Sequence, residues 1–225
     1  MADAIALFPL SHVLLPGMPL PLHIFEQRYR DLLDDVSDGS GGGTFGVVAL
    51  RTGTEAETLG TAESGPDVEQ VGTLAEILEV ESQEDGTSDV LAVGSRRFRI
   101  VQLDPVGKAY LRAEVEYLDE PDGALTPEQE TRARELIDVY DTMLVRLAGR
   151  GTGAELPNDA NQLSYHLAAR LPLPPAERQA LLVDGTTAER LNRVARLLRR
   201  EIALLQRTRS IAVSPTVLRL VTGSN

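Results

Sequence analysis

The sequence predicts an α+β protein, with a small closed or sandwich-like sheet first and a helical bundle after it. Three observations carry this. Up to about residue 118 the apolar residues fall in short β-prone runs separated by Pro, Gly and Asn/Asp/Ser-type turn signals. From residue 126 the apolar period becomes helical. The helical half also carries two capping-box signatures, Thr126-Pro127-Glu128-Gln129 and Thr186-Thr187-Ala188-Glu189. The division is placed at residues 1–122 and 123–225.

In the first half the predicted strands are residues 4–8, 12–15, 45–50, 74–80, 90–93, 98–103 and 110–117. Gly94-Ser95 is read as a turn or bulge between two of them. Over 110–117, Leu111, Ala113, Val115 and Tyr117 alternate with Tyr110, Arg112, Glu114 and Glu116, the pattern of a half-buried strand. One helix interrupts this half, with Phe25, Tyr29, Leu32, Leu33 and Val36 on one face. The glycine-rich run 37–43 lacks the lysine and Ser/Thr of a phosphate-binding loop and is read as a loop, as is the acidic stretch 52–69. In the second half the first helix carries Ala133, Leu136, Ile137, Tyr140, Met143, Leu144 and Leu147 and ends at Gly149. Two short helices follow, around residues 163–171 and 175–183. The last helix has the stripe Leu191, Val194, Ala195, Leu198, Ile202 and Leu205 and an arginine-rich opposite face.

Composition narrows the function. The chain has 225 residues, 42% of them hydrophobic, with a formal charge of −12 and no cysteine. A disulfide framework, a thiol nucleophile and a cysteine-ligated metal are excluded. Residues 1–169 hold 12 basic against 30 acidic residues, and residues 170–225 hold 10 against 4. An acidic body argues against a general nucleic-acid binder, whose footprint is a net basic domain. No apolar run approaches the ~20 residues of a membrane helix. The N-terminus has no basic region of the signal-peptide kind, so a cytoplasmic protein is expected. His12, His23 and His166 have no metal-ligand spacing and are read as structural, and no metal or cofactor is expected. Lys108, the only lysine, is read as a turn residue.

The most specific signal is Leu7-Phe8-Pro9-Leu10 followed by Val13-Leu14-Leu15-Pro16-Gly17-Met18-Pro19-Leu20-Pro21-Leu22-His23-Ile24-Phe25-Glu26-Gln27-Arg28-Tyr29. It resembles the opening signature of the Lon protease N-terminal substrate-binding domain, with Gln27 where proline is common. Phe45-Gly46-Val47-Val48, Val71-Gly72-Thr73-Leu74-Ala75-Glu76-Ile77, Gly94-Ser95-Arg96-Arg97-Phe98-Arg99-Ile100 and the capped helix from Thr186 resemble later parts of the same family in order. The resemblance implies a PUA-like pseudo-barrel followed by a helical bundle. It also implies a non-enzymatic module that binds unfolded or tagged polypeptide segments, with a protease or chaperone as a further partner class. No Gly-x-x-x-x-Gly-Lys-Ser/Thr and no Gly-x-Ser-x-Gly occurs, so neither ATP hydrolysis nor peptide hydrolysis is expected of these residues.

Within the signature, Pro9, Pro16, Gly17, His23, Phe25, Glu26, Arg28, Tyr29, Arg97 and Phe98 are read as fold-building. Leu15, Met18 and Leu20 are the candidate polypeptide contacts, since the apolar residues of a proline-rich segment cannot all turn inward. Glu26 is expected to pair, partly buried, with Arg28 or with an arginine of the 96–99 strand, joining helix to barrel. Glu114 is the other carboxylate considered for those arginines. Two rival readings remain: an RNA-binding PUA-like module using Arg96, Arg97, Arg99 or the arginine face of the last helix, and an enzyme of unrecognised chemistry.

Overall fold

The computed structural model describes residues 3–37, 43–51, 67–104, 108–148 and 155–208. Most of the glycine-rich run, most of the acidic stretch 52–69, residues 105–107 beside Lys108 and Gly149 lie outside these. The chain divides into two compact units between Asp119 and Glu120. That is three residues ahead of the expected 122/123 division, because residues 120–122 bond within the second unit: Thr187 N–H donates to the Pro121 carbonyl (2.9 Å) and Ala188 N–H to the Asp122 carbonyl (3.1 Å).

The first unit contains β1 (Asp3–Leu10), β2 (Pro19–Ile24), α1 (Gln27–Val36), β3 (Thr44–Ala49), β4 (Val71–Ser82), β5 (Ser88–Asp104) and β6 (Leu111–Tyr117). The sheet order is β2-β5-β4-β3-β1-β6, and β6 also pairs with β5. That extra pairing closes β5, β4, β3, β1 and β6 into a ring, with β1 and β3 parallel, while β2 is attached to β5 from outside. Closure removes the sheet edges that five open strands would expose. One apolar cluster draws on all five ring strands through Leu7, Val48, Leu74, Phe98, Ile100 and Val115. A second joins β2 and α1 to the sheet through Phe8, Leu20, Ile24, Tyr29, Leu32 and Phe45.

Four expectations change. Residues 12–15 are not a strand: Leu14 and Leu15 are buried in an extended connection, held by side-chain and backbone bonds to β4 and β5 instead of a ladder. Residues 19–24, a proline-rich segment in none of the predicted strands, are a strand. Gly94-Ser95, read as a turn or bulge, lies at a bulge: β5 runs through it with a register shift against β4 between Thr73 and Ala75, so residues 90–93 and 98–103 belong to one strand and not two. Phe25 precedes α1 and is not on its buried face, which consists of Tyr29, Leu32 and Leu33.

The second unit contains α2 (Pro127–Ala148), α3 (Ala160–Arg170), α4 (Pro175–Val183) and α5 (Thr187–Thr208). The α5 capping box forms as the sequence predicts: Glu189 N–H donates to Thr186 Oγ1 (3.2 Å) and Thr186 N–H to Glu189 Oε2 (3.1 Å). On α2 the Thr126 N–H donates to Gln129 Oε1 (2.8 Å). The α5 stripe is buried from Leu191 to Leu205, whereas the α2 stripe is buried only to Tyr140 and Leu147 is exposed.

Arg190 of α5 is the fully buried cation of this unit, at 0% exposure. Its guanidinium donates to Ser164 Oγ (2.7 Å), Asn161 Oδ1 (2.5 Å) and Glu120 Oε2 (3.0 Å) and stacks on the Tyr165 ring, 3.9 Å from the centroid. Tyr165 O–H donates to the same Glu120 carboxylate (2.9 Å). Removing one member of a buried pair leaves the other charge unpaired, a loss of ~3–5 kcal/mol. Arg190→Ala is expected to lower the unfolding free energy by that order, read from a urea titration of helical circular dichroism. An unchanged midpoint would mean that the network contributes nothing net.

In the first unit Tyr110 O–H donates to Asp35 Oδ2 (2.6 Å), which also receives Lys108 Nζ (2.8 Å). Burial, then this bond, pushes the Tyr110 phenol up to about 12. An acid whose folded pKa is raised gives stability that is present below its unfolded value, ~10, and is lost as the pH rises through the folded value. Tyr110→Phe is therefore expected to flatten the fall in stability between pH 10 and about 12, measured by urea midpoints across that range. An equally steep fall in the variant would refute the assignment.

Candidate functional site

The connection from Leu14 to Met18 fixes the geometry of everything after it. Thr73 Oγ1 of β4 donates to the Leu14 carbonyl (2.7 Å). Gly17 N–H donates to the Gly94 carbonyl of β5 (2.7 Å), and Gly94 N–H donates to the Met18 carbonyl (3.0 Å). Gly17 takes φ +76°, the left-handed region that a side chain resists. At Gly94 a Cβ would lie within van der Waals distance of the Leu15 carbonyl oxygen. Both glycines of the strap are thus required by backbone geometry, one by conformation and one by close approach.

The strap sets the register of β2 on β5: Pro19 lies opposite Val93, Pro21 opposite Leu91 and His23 opposite Asp89. The Gly94-to-Met18 bond also fixes the ladder's alternation. Leu20, Leu22 and Ile24 turn their peptide groups toward β5, and positions 19, 21 and 23 turn theirs away. Proline at 19 and 21 costs the ladder no donor and removes two N–H groups from the outer edge of the strand. The side chains divide by the same alternation: Leu20 and Ile24 enter the core, while Pro19, Pro21, His23 and then Phe25 face outward.

β4 continues this outward face. Glu76 pairs with Val93, Glu79 with Leu91 and Glu81 with Asp89, and Leu78 is the extra residue of the bulge between Ile77 and Glu79. The face therefore reads in three rows across β2, β5 and β4: Pro19, Val93, Glu76; then Pro21, Leu91, Glu79; then His23, Asp89, Glu81. Phe25 is 62% exposed, Leu78 60% and Leu91 37%. The Phe25 ring stacks near the His23 ring at 6.2 Å between centroids, and His23 Nδ1 lies 2.7 Å from Asp89 Oδ1. Pro19, Val93, Pro21 and Leu91 hold adjacent cross-strand positions and form an apolar cluster, which scattered exposed leucines would not; the polar row of His23, Asp89 and Glu81 separates it from Phe25.

Leu15 and Leu20, expected as polypeptide contacts, are 0% and 2% exposed, so neither can touch a partner. Met18 is half-buried against the α1-side core. The strand alternation that buries Leu20 is what exposes Pro19, Pro21 and Phe25. The signal was present in the sequence as Leu20, Leu22 and Ile24 against Pro19, Pro21 and His23, hidden because prolines suggest a turn. Of the other signature residues, Pro9, Tyr29 and Phe98 are buried, Pro16 is half-buried, and Gly17 supplies the turn.

Glu26 pairs with Arg28 (2.6 Å), whose guanidinium lies over the Tyr29 ring at 4.6 Å. The pair is partly exposed and local to the start of α1, because the 96–99 arginines are engaged elsewhere or face away. Arg97 is buried, and its guanidinium donates to the Asp119 carbonyl (3.0 Å). Arg96 lies over the Tyr117 ring, and Arg99 is exposed opposite Glu116.

The rival sites have less to offer. A groove of about 760 Å³ between α2 and α5 is lined by Arg132, Arg196 and Arg199, but also by Glu128 and Glu135, so it presents no single-sign surface to phosphate. Arg193 and Arg200 of the same helix are engaged by Asp184 and by Glu177 and Glu201. Burial first, then Arg170, pushes the His166 imidazole below its ordinary value. Among the described residues no group of three or more His, Cys, Asp or Glu side chains is placed to hold a metal ion, and no helix is long and apolar enough to cross a membrane.

Residues 4–200 match the model of the ATP-dependent protease La (LON) substrate-binding domain. A Lon protease 2 of Syntrophobacter fumaroxidans is 32% identical over 213 residues, covering 92% of this chain and 25% of that protein. The Lon protease of Escherichia coli is 30% identical over 209 residues, covering 90% and 25%. The chain thus spans about a quarter of the length of these relatives. The crystal structure of a Lon N-terminal domain protein from Xanthomonas campestris superposes with a TM-score of 0.61 at 28% identity, covering 85% of this chain and 96% of that one. The N-terminal domain of a Mycobacterium avium complex Lon protease, at 19% identity and a TM-score of 0.57, shares the fold.

The strap makes a direct prediction. Gly94→Ala is expected to destabilise the first unit by roughly 1–3 kcal/mol or more, since the obstacle is a backbone carbonyl that cannot rotate away. Denaturant titration measures this, and a stability equal to the parent's would contradict the strap geometry.

Proposed function

Because the chain belongs to the Lon substrate-binding domain family, we propose that it is a non-enzymatic polypeptide-binding module and that it captures unfolded segments on the outward face of β2, β5 and β4. The observation that carries this reading is the outward-facing apolar cluster of Pro19, Val93, Pro21 and Leu91 at adjacent cross-strand positions, with Leu78 in the bulge beside Glu79 and Phe25 beyond the His23 row. A folded protein exposes little contiguous apolar surface without a use for it. The prolines add a second argument. They deny an incoming chain two N–H donors along β2, so binding here proceeds by side-chain contact and not by extension of the sheet. Contact of that kind reads apolar content without demanding a sequence, which suits a partner with no fixed structure.

The supporting chemistry is modest per residue. Fully burying a Leu or Phe side chain is worth ~1.5–3 kcal/mol, so a few such contacts, after the entropy of ordering a flexible segment, give weak binding. Neither ATP hydrolysis nor peptide hydrolysis enters this proposal. Phosphate readers lose affinity steeply with salt, whereas apolar capture survives it, and that separates this reading from RNA binding.

Replacing Phe25 and Leu78 by serine is expected to weaken binding of a labelled, permanently unfolded polypeptide by about tenfold or more, with stability changed by no more than ~0.5 kcal/mol. Fluorescence anisotropy at two salt concentrations reads the first and a melting curve the second. Unchanged affinity in the double variant, or tight salt-sensitive binding of labelled RNA with no polypeptide signal, would overturn the reading.

A further inference from the structure

The same outward face has a second property that the capture of apolar segments does not require. Its β4 side is a column of three carboxylates, Glu76, Glu79 and Glu81, one in each row. All three are exposed, and none has an ion-pair partner among the described residues. In the third row Asp89 adds a fourth carboxylate, engaged by His23 and by Gln83 Nε2 (3.2 Å). No Lys or Arg stands at any of the nine positions. In the first two rows the β2 and β5 positions are apolar and the β4 position is anionic, and the face's one basic side chain, His23, is taken up by Asp89 in the third row.

We propose that this face selects polypeptide segments in which apolar side chains lie next to lysine or arginine, and discriminates against apolar segments flanked by acidic residues. The proposal rests on the capture reading above and adds the class of segment captured. The dimensions fit one extended chain. Neighbouring strands lie ~4.8 Å apart, so the carboxylate column runs about 10 Å from the prolines of β2. A basic side chain a residue or two from an apolar anchor spans that distance. Its aliphatic stem lies over Leu91 or Leu78 while its charged end reaches the carboxylates, the usual posture of a long cationic side chain beside apolar surface. Charge also argues against the other occupants. A second copy of this chain, face to face, would bring no Lys or Arg to the carboxylate column, and a nucleic acid would meet the wrong sign.

Each exposed pairing is weak and screened by salt, so the effect is a preference laid over apolar binding. The test uses three labelled unstructured peptides with one shared Phe/Leu core, flanked by lysine, serine or glutamate, and reads affinity by anisotropy. The parent protein is expected to bind the lysine-flanked peptide about threefold to tenfold tighter than the serine-flanked one, with the glutamate-flanked one weakest. In the triple variant Glu76→Gln, Glu79→Gln, Glu81→Gln the three affinities are expected to converge, with all three peptides still bound. High salt should likewise erase the ranking and leave the binding. Equal affinities for all three peptides in the parent, or a ranking that persists in the triple variant, would overturn the charge selection and leave the capture reading intact. No binding of any peptide would overturn both.

Discussion

The structure of the first unit depends on one strap, the run from Leu14 to Met18 laid across β4 and β5. Three hydrogen bonds hold it, from Thr73 to Leu14, from Gly17 to Gly94 and from Gly94 to Met18. Because a strand's side chains alternate with period two, the strap decides more than where β2 lies. A slip of one residue would send Leu20 and Ile24 outward and Pro21 and Phe25 into the core. The burial of one half of the segment and the exposure of the other are the same fact. It is also why the signature serves both purposes at once: its leucines fill the core beside α1, and the residues between them make the surface.

The second unit is organised around a charge and not a strap. Arg190 is buried completely, and its guanidinium holds the first residue of the unit, Glu120, together with Asn161 and Ser164 of α3. Arg97, buried in the first unit, holds the carbonyl of Asp119. The division of the chain thus falls at a single peptide bond, and each of its two residues is secured by a buried arginine of its own unit. A guanidinium suits this task because its planar fork can satisfy several acceptors without deprotonating.

The helical half was largely legible in the sequence. Apolar stripes, capping boxes and a first-turn proline are local signals, and α2, α4 and α5 begin where those signals put them, while α3 begins at Ala160, earlier than expected, because Asp159 caps it. The exposure of Leu147, where α2's stripe runs past its packing partners, is not visible in periodicity. The sheet was legible in its strands but not at its edge. Pro19 and Pro21 read as a turn because the reason they fit a strand, an edge position with peptide groups turned outward, exists only once β2 has a partner. For the same reason Leu15 and Leu20 were expected on the surface, whereas both are core. Glu26 does pair with Arg28, one of the two partners the sequence offered, whereas Arg97 shows the other limit: the sequence names the arginine but not the Asp119 carbonyl that the fold brings to it.

The closed ring, the strap and the edge prolines leave exposed apolar residues on the outward face of β2, β5 and β4, the face proposed to capture unfolded segments. The chain has no cysteine, so single probes can be placed on it without background. An environment-sensitive fluorophore attached through Leu91→Cys reports from the centre of the face. The same label attached through Val101→Cys reports from another exposed position on β5, 53% accessible and outside the three rows. On addition of a permanently unfolded polypeptide the account predicts a blue shift at position 91 and none at 101. A shift at 101 with none at 91, under conditions where the polypeptide is bound, would contradict it.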